Sequence, residues 1–140
     1  MRNLKKTFLI VLSVFVLSCS NDDKDSGKAI SVNDLVGSWL LVSDVDEEGI
    51  EYVEEGDCDY LLVFTETTIN GQEYYGVNCN QLDQDSPLVF SLNGDFLSFT
   101  EEEEEIKNEI LELTSTTLKL RYDYVEEEES FYDITTFIKQ

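Results

Sequence analysis

Between Leu118 and Tyr124 apolar and polar side chains alternate without a break. Leu118, Leu120, Tyr122 and Tyr124 fall on one side, Lys119, Arg121 and Asp123 on the other. A period of two puts successive side chains on opposite faces of a strand, so this segment needs one dry face and one wet face. A strand satisfies that demand only inside a sheet that turns its apolar side away from water. Shorter runs of the same kind recur at residues 38–43, 59–65, 69–75, 88–92, 96–100, 106–113 and 131–138, which with 118–124 predicts eight strands. Asn93-Gly94-Asp95 is a strong hairpin signal, and Thr114–Thr117 is a polar turn compatible with flanking strands. Pro87 stands at the start of its strand, where no interior ladder donor is lost. Residues 101–113 are ambiguous, because Ile106, Ile110 and Leu113 have helical spacing and glutamate favours helices. Five adjacent glutamates repel one another and the segment feeds straight into the next turn, so a strand is expected there.

The first residues have a different character. Met1 to Lys6 is a short basic stretch, and Phe8 to Leu17 is an apolar run interrupted only by Ser13. That run is too short for a permanent membrane span and fits a secretory leader. It ends in Val16-Leu17-Ser18-Cys19, which resembles a bacterial lipobox. The resemblance implies that residues 1–18 are a signal peptide that is removed, and that Cys19 becomes the acylated N-terminus, palmitate being one such chain. Each buried methylene contributes about 0.8 kcal/mol, so two or three acyl chains hold a protein stably on a membrane. Ser20-Asn21-Asp22-Asp23-Lys24-Asp25-Ser26-Gly27 has the composition of a solvated tether, placed at residues 19–29. It also resembles the acidic stretch after the lipid cysteine in surface lipoproteins of Bacteroidetes. An outer-membrane lipoprotein facing the cell surface or the periplasm is the expected location.

The mature domain, residues 30–140, opens with Gly37-Ser38-Trp39. Together with Leu61-Leu62-Val63-Phe64 and the run from Leu111 to Leu118, this is similar to the lipocalin-like domain of bacterial lipoproteins. The resemblance implies an all-β fold: an eight-stranded antiparallel up-and-down barrel, preceded by a short N-terminal helical turn. It departs from the pattern near the end of the last strand, where lipocalins carry an arginine and this chain has only Lys139.

Two cysteines remain beside Cys19. In an oxidising compartment Cys58 and Cys79 are expected to form a disulfide. A hairpin turning between Thr68 and Ile69 would place them opposite each other, whereas a turn at Asn70-Gly71 would put them out of register. A redox pair would need Cys-x-x-Cys spacing and a nearby base, and the sequence supplies neither.

Charge narrows the function further. The chain has 31 acids against 9 bases and a net charge of -22, and three of the bases (Arg2, Lys5 and Lys6) lie in the leader. Such a surface repels nucleic-acid phosphates and favours a soluble monomer. There is no histidine, which removes the commonest acid–base catalyst and metal ligand. In an up-and-down barrel alternate connections share one end. Most of the acids fall in the connections of one such end, opposite the tether: the segments around 44–57, 83–85, 101–105 and 126–129. Asp44, Asp46, Glu48, Gly49 and Glu55 take the spacing of an EF-hand loop, although Glu48 is unusual at its place and the flanks are not helical. A solvated acidic rim accounts for the same residues.

Trp39, Leu41, Leu62, Phe64, Leu88, Phe90, Leu97, Phe99, Leu118, Leu120, Tyr122, Ile134 and Ile138 are expected to point inward. Eight strands enclose just enough room for side chains or one small ligand, and so many bulky residues predict a filled interior. A ligand would sit among Phe64, Phe90, Phe99, Tyr122 and Tyr124, near the acidic mouth. No catalytic centre and no cofactor are expected. The expected function is a lipid-anchored, non-enzymatic binding module for a small apolar or cationic ligand. The alternative is an interaction protein with a filled core, whose acidic end meets a basic partner or Ca²⁺.

Overall fold

A computed structural model describes residues 29–54 and 56–140. The expected signal peptide, Cys19, nearly all of the expected tether and Glu55 lie outside the described residues. The chain opens with α1 (Val32–Leu35), the expected helical turn, where the Asp34 carboxylate accepts hydrogen bonds from the Ser31 N–H and hydroxyl. Nine strands follow: β1 (Gly37–Asp46), β2 (Tyr60–Phe64), β3 (Thr68–Tyr75), β4 (Gln81–Gln84), β5 (Leu88–Asn93), β6 (Phe96–Glu101), β7 (Glu104–Leu113), β8 (Thr117–Glu126) and β9 (Glu129–Lys139). Each pairs antiparallel with its chain neighbour, and β1 pairs with both β2 and β9. The sheet therefore closes into an up-and-down barrel of eight strand positions.

The ninth strand comes from a break within one position. β4 and β5 both pair with β3, but their registers differ by one residue across Asp85-Ser86-Pro87. Proline has no N–H to give the ladder, and a bulge absorbs it. Residues 101–113 resolve in favour of a strand. Glu101 pairs with Glu104 across a two-residue turn, so the acid run is itself the hairpin.

Turn chemistry separates the two ends. At one end, Thr65–Thr68 and Thr114–Thr117 are built alike. The first threonine donates its N–H to the carbonyl oxygen of the last (2.8 Å in both), and its hydroxyl accepts from the last N–H at 2.9 and 2.8 Å. Gly94 at φ +62° supplies the third turn of that end, within the expected hairpin. At the other end Glu102-Glu103 and Glu127-Glu128 all have positive φ, a backbone state that glutamate adopts reluctantly. The turn after β2 thus falls at Glu66-Thr67, earlier than either position weighed from sequence. Asn70 and Gly71 instead lie inside β3. A Cβ at residue 71 would meet the Tyr60 hydroxyl and the Asp85 carboxylate at 2.5 Å, so a larger residue there would displace those side-chain tips.

The core is packed against the threonine-turn end. Leu35, Trp39, Leu97 and Leu118 are fully buried, joined by Phe64, Ile69, Phe90, Ile110, Leu120 and Phe137. α1 closes this end: Ile30 and Val32 pack on the core, and the Leu35 carbonyl accepts a 2.7 Å hydrogen bond from Trp39 Nε1. Lys139, cross-strand neighbour of Trp39, holds its Nζ 4.8 Å from the indole ring. The one base available thus covers Trp39 where an arginine was missing from the sequence pattern.

One strand differs from expectation. β9 pairs Leu118 with Phe137, Leu120 with Thr135 and Tyr122 with Asp133. Directly paired residues share a face, so Phe137, Thr135 and Asp133 point inward while Ile134 and Ile138 point out. A slip of one residue reverses every side chain of a strand. Because β9 is apolar on both faces, its own pattern could not fix the choice.

Candidate functional site

That reversal puts a threonine and an aspartate where two isoleucines were expected, and the open half of the barrel is not filled. A cavity of about 500 Å³ remains there. Its apolar wall includes Leu41, Leu62, Leu97, Phe99, Ile106 and Leu120. Its polar lining comes from Asp44, Tyr60, Glu101, Asn108, Tyr122 and Asp133. Volume and lining fall within the usual range for small-molecule sites.

The five aromatic residues expected to form one ligand site are divided by the fold. Phe99 and Tyr122 line the cavity. Tyr124 stacks on Tyr122 with ring centroids 5.8 Å apart, and on Phe131 at 5.7 Å, extending an aromatic column toward the mouth. Phe64 and Phe90 are elsewhere. They meet edge to face at 5.5 Å in the packed half, because Phe64 lies one residue from the closed-end turn and pairs with Gly37.

A β-bulge sets the acids of β1. The ladder to β9 shifts between Leu41 and Ser43, so Asp44 and Asp46 join Leu41 on the inner face. Asp46 is opposite Asp133, and Asp44 is opposite Thr135. These inward carboxylates differ in their support. Asp46 bends into its own loop, accepting from the N–H groups of Ile50 (2.8 Å) and Glu48 (2.9 Å) and from the Tyr52 hydroxyl (2.8 Å). The Ile50 hydrogen bond is the main reason its pKa lies below the ordinary value. Tyr52, in return, is pushed up to about 12 by its bond to Asp46. Glu51 is held low in the same manner, first by the Ser43 hydroxyl and then by the Asp44 N–H.

Asp44 and Asp133 have no such support. Burial raises the pKa of Asp44, and the charges of Asp133 and Glu51 raise it further. Asp133 is raised by burial, then by Asp46 and Glu47. Asp44 Oδ1 is buried without a hydrogen-bond partner among the described residues. Burial also raises the Tyr60 hydroxyl, reinforced by Asp85 and Glu101.

The described residues of the EF-hand spacing have separate surroundings. Asp44 faces the cavity, Asp46 is engaged by its own loop, Glu48 is exposed, and Glu55 is outside the described residues. Among the described residues no three carboxylates or cysteines converge as a metal ion requires. The disulfide does form: Cys58 and Cys79 are bonded, with Cα atoms 5.3 Å apart. The register inferred for it was wrong, since β2 and β3 pair Tyr60 with Glu73. Cys79 reaches Cys58 because residues 76–79 turn back, Cys79 N–H donating to the Gly76 carbonyl at 3.1 Å. The bond thus ties the β1–β2 loop to the β3–β4 loop at the cavity end.

A second depression, about 470 Å³, lies at the closed end between α1 and the β7–β8 turn. Its two charged residues are occupied, Asp34 with Ser31 and Lys139 with Trp39.

A barrel of this topology, with Gly-x-Trp plugged by a short helix and a cavity at the far end, can be set beside known proteins. The family model described as lipocalin-like domain matches residues 35–120. The chain belongs to the lipocalin-like family. A search of curated proteins returns no match. Solved structures similar to this lipocalin-like chain include the odorant-binding protein from bovine nasal mucosa, at 16% identity over 81% of this chain and 76% of that one, with a TM-score of 0.49. A complex of bovine odorant-binding protein with a selenium-containing odorant matches at 15% identity over 81% and 75%, TM-score 0.49. Lobster apocrustacyanin A1 matches at 15% identity over 77% and 61%, TM-score 0.47.

Sequence reasoning missed Tyr60, Glu101, Asn108 and Asp133 as cavity residues. For Asp133 the available signal was pairing: once Leu118 is inward, its partner on β9 must be too. Glu101 and Asn108 carried no separate signal, being polar residues in two strands, β6 and β7, whose inner faces were expected to be apolar.

Proposed function

We propose that this lipocalin-like barrel is a non-enzymatic carrier or receptor that holds one small molecule in the cavity at its open end. The cavity itself carries this reading. A structural protein with a filled core has no use for about 500 Å³ of lined interior space beside two poorly supported carboxylates. The lining offers hydroxyl, amide and carboxylate groups to orient a ligand and an apolar wall to desolvate it. No nucleophile–base pair accompanies them, and the chain has no histidine.

The leader supports a location. We infer removal of residues 1–18 and acylation of Cys19, which would anchor a monomeric domain to the outer membrane at the cell surface or periplasmic face. Residues 19–29 would act as the tether. β1 begins at the end closed by α1, so the cavity would open away from the anchor.

Native mass spectrometry of the mature protein from its own host tests the carrier reading. A co-purified small molecule is expected, lost when Leu120→Trp fills the cavity. A protein that never carries a ligand, and binds none from a host extract, would contradict it. Metabolic labelling with radioactive palmitate tests the anchor, with incorporation expected in the native chain and absent in Cys19→Ser.

A further inference from the structure

The charged groups that line the cavity are all carboxylates. Asp44 and Asp133 lie on the same inner face at diagonal positions of the β1–β9 ladder, a placement that sets Cα atoms about 7–8 Å apart. Glu101 adds a third acid to the lining. No lysine or arginine among the described residues answers them from inside. Lys107 lies over the Phe96 ring at 4.0 Å, Arg121 binds Asp123 on the outer face of β8, Lys119 shares that face, and Lys139 covers Trp39 at the closed end. Asp44 Oδ1 is buried with no hydrogen-bond donor among the described residues. A carboxylate oxygen cut off from water and from donors is costly, and a cation is what removes the cost.

We propose that the cavity selects a small amphipathic amine, its ammonium held between Asp44 and Asp133 and its apolar body laid against Leu62, Phe99 and Leu120. The inference rests on the carrier reading above and names the ligand class. The raised pKa values of both aspartates fit it, because an empty site disfavours their charged forms and an ammonium restores them. Tyr60 and Tyr122 line the same cavity, and aromatic rings attract cations. A bare metal ion fits poorly, since the space is far larger than an ion and the wall is largely apolar.

Three ligands with the same chain and different heads test this: octylammonium, octanol and octanoate, titrated calorimetrically into the disulfide-bonded protein at neutral pH. Octylammonium is expected to bind at least about tenfold more tightly than octanol, with octanoate weakest. The amine-to-alcohol ratio should collapse to within about threefold in Asp44→Asn/Asp133→Asn, whose side chains keep their shape. The same ratio should persist in Glu102→Gln/Glu103→Gln, which removes exposed rim charge only. Octanol or octanoate binding as tightly as the amine to the native protein overturns the amine assignment and leaves the carrier reading standing. A ratio lost equally in the rim variant assigns the preference to bulk charge and also overturns it. Failure of all three ligands to bind overturns the carrier reading and the amine assignment together.

Discussion

The two ends of this barrel have the same strand architecture and opposite chemistry. At the closed end Leu35, Trp39 and Leu118 are fully buried, and the threonine turns satisfy their own N–H groups. At the open end turns are made by glutamates with positive φ, the interior is hollow, and the inward Asp44 Oδ1 lacks a donor among the described residues. The comparison shows stability and binding divided along one axis. Close packing holds the fold at one end, which lets the other keep space and unsatisfied charge that a uniformly packed barrel would exclude. Local stability is commonly uneven in this way, with binding regions drawn from the weaker part.

Core truncation should separate the ends most strongly. Trp39→Ala is expected to destabilise by about 3–5 kcal/mol, and Phe99→Ala by no more than about half of that, because its ring already borders empty space. Denaturant melts of both variants check this, and equal losses would break the comparison. Next in size is the disulfide. Replacing Cys58 and Cys79 by alanine should cost about 3 kcal/mol in the loop-entropy view, for a bridge spanning 21 residues. Hydrogen exchange should then show faster opening in β2, β3 and the loops they enter, with the Trp39 region still the slowest to exchange.

A smaller effect of opposite sign is expected at the glutamate turn. Glu102→Asn/Glu103→Gly supplies residues that accept positive φ and should stabilise by about 1 kcal/mol, readable as a higher midpoint in denaturant. The smallest effect is the response to pH. Asp44 and Asp133 have raised pKa values, chiefly from burial, so the folded state favours their protonated forms. Their share of stability is complete below the ordinary value of 3.8 and is lost as pH rises through the raised folded values. Asp46 and Glu51 behave oppositely. Their share is present above the ordinary 3.8 and 4.5, and is lost as pH falls through their lowered values. Thermal midpoints should therefore rise on mild acidification and fall again in stronger acid. The rise should shrink in Asp44→Asn/Asp133→Asn; an unchanged rise would trace it to net charge alone.

The barrel was legible in the sequence because period-two alternation in Leu118–Tyr124 admits few folds, and because Asn93-Gly94 and the threonine turn mark strand reversals. The acidic end was legible for the same reason, since topology follows once strands and turns are known, and the helical turn came from the family resemblance. The cavity was not. It depends on the bulge at Leu41–Ser43 and on which face of β9 turns inward, and both are settled by pairing with neighbours. Phe64 and Phe90 were misplaced for a related cause. Aromatic residues on the inner face look alike in sequence, whereas height along the barrel decides whether they pack or line a space. The disulfide shows how a correct pairing can follow from a wrong register, since two cysteines in an oxidising compartment pair wherever loops let them meet.

The central claim, that the open half is a binding cavity and the closed half a solid core, is tested most directly by mapping amide chemical shifts in NMR as octanol is added. Shifts are expected at Leu62, Phe99, Leu120, Tyr122 and Thr135, with Leu35, Trp39 and Leu118 nearly still. Shifts scattered over the outer face, or concentrated beside α1 at Asn33 and Ser115, would contradict it.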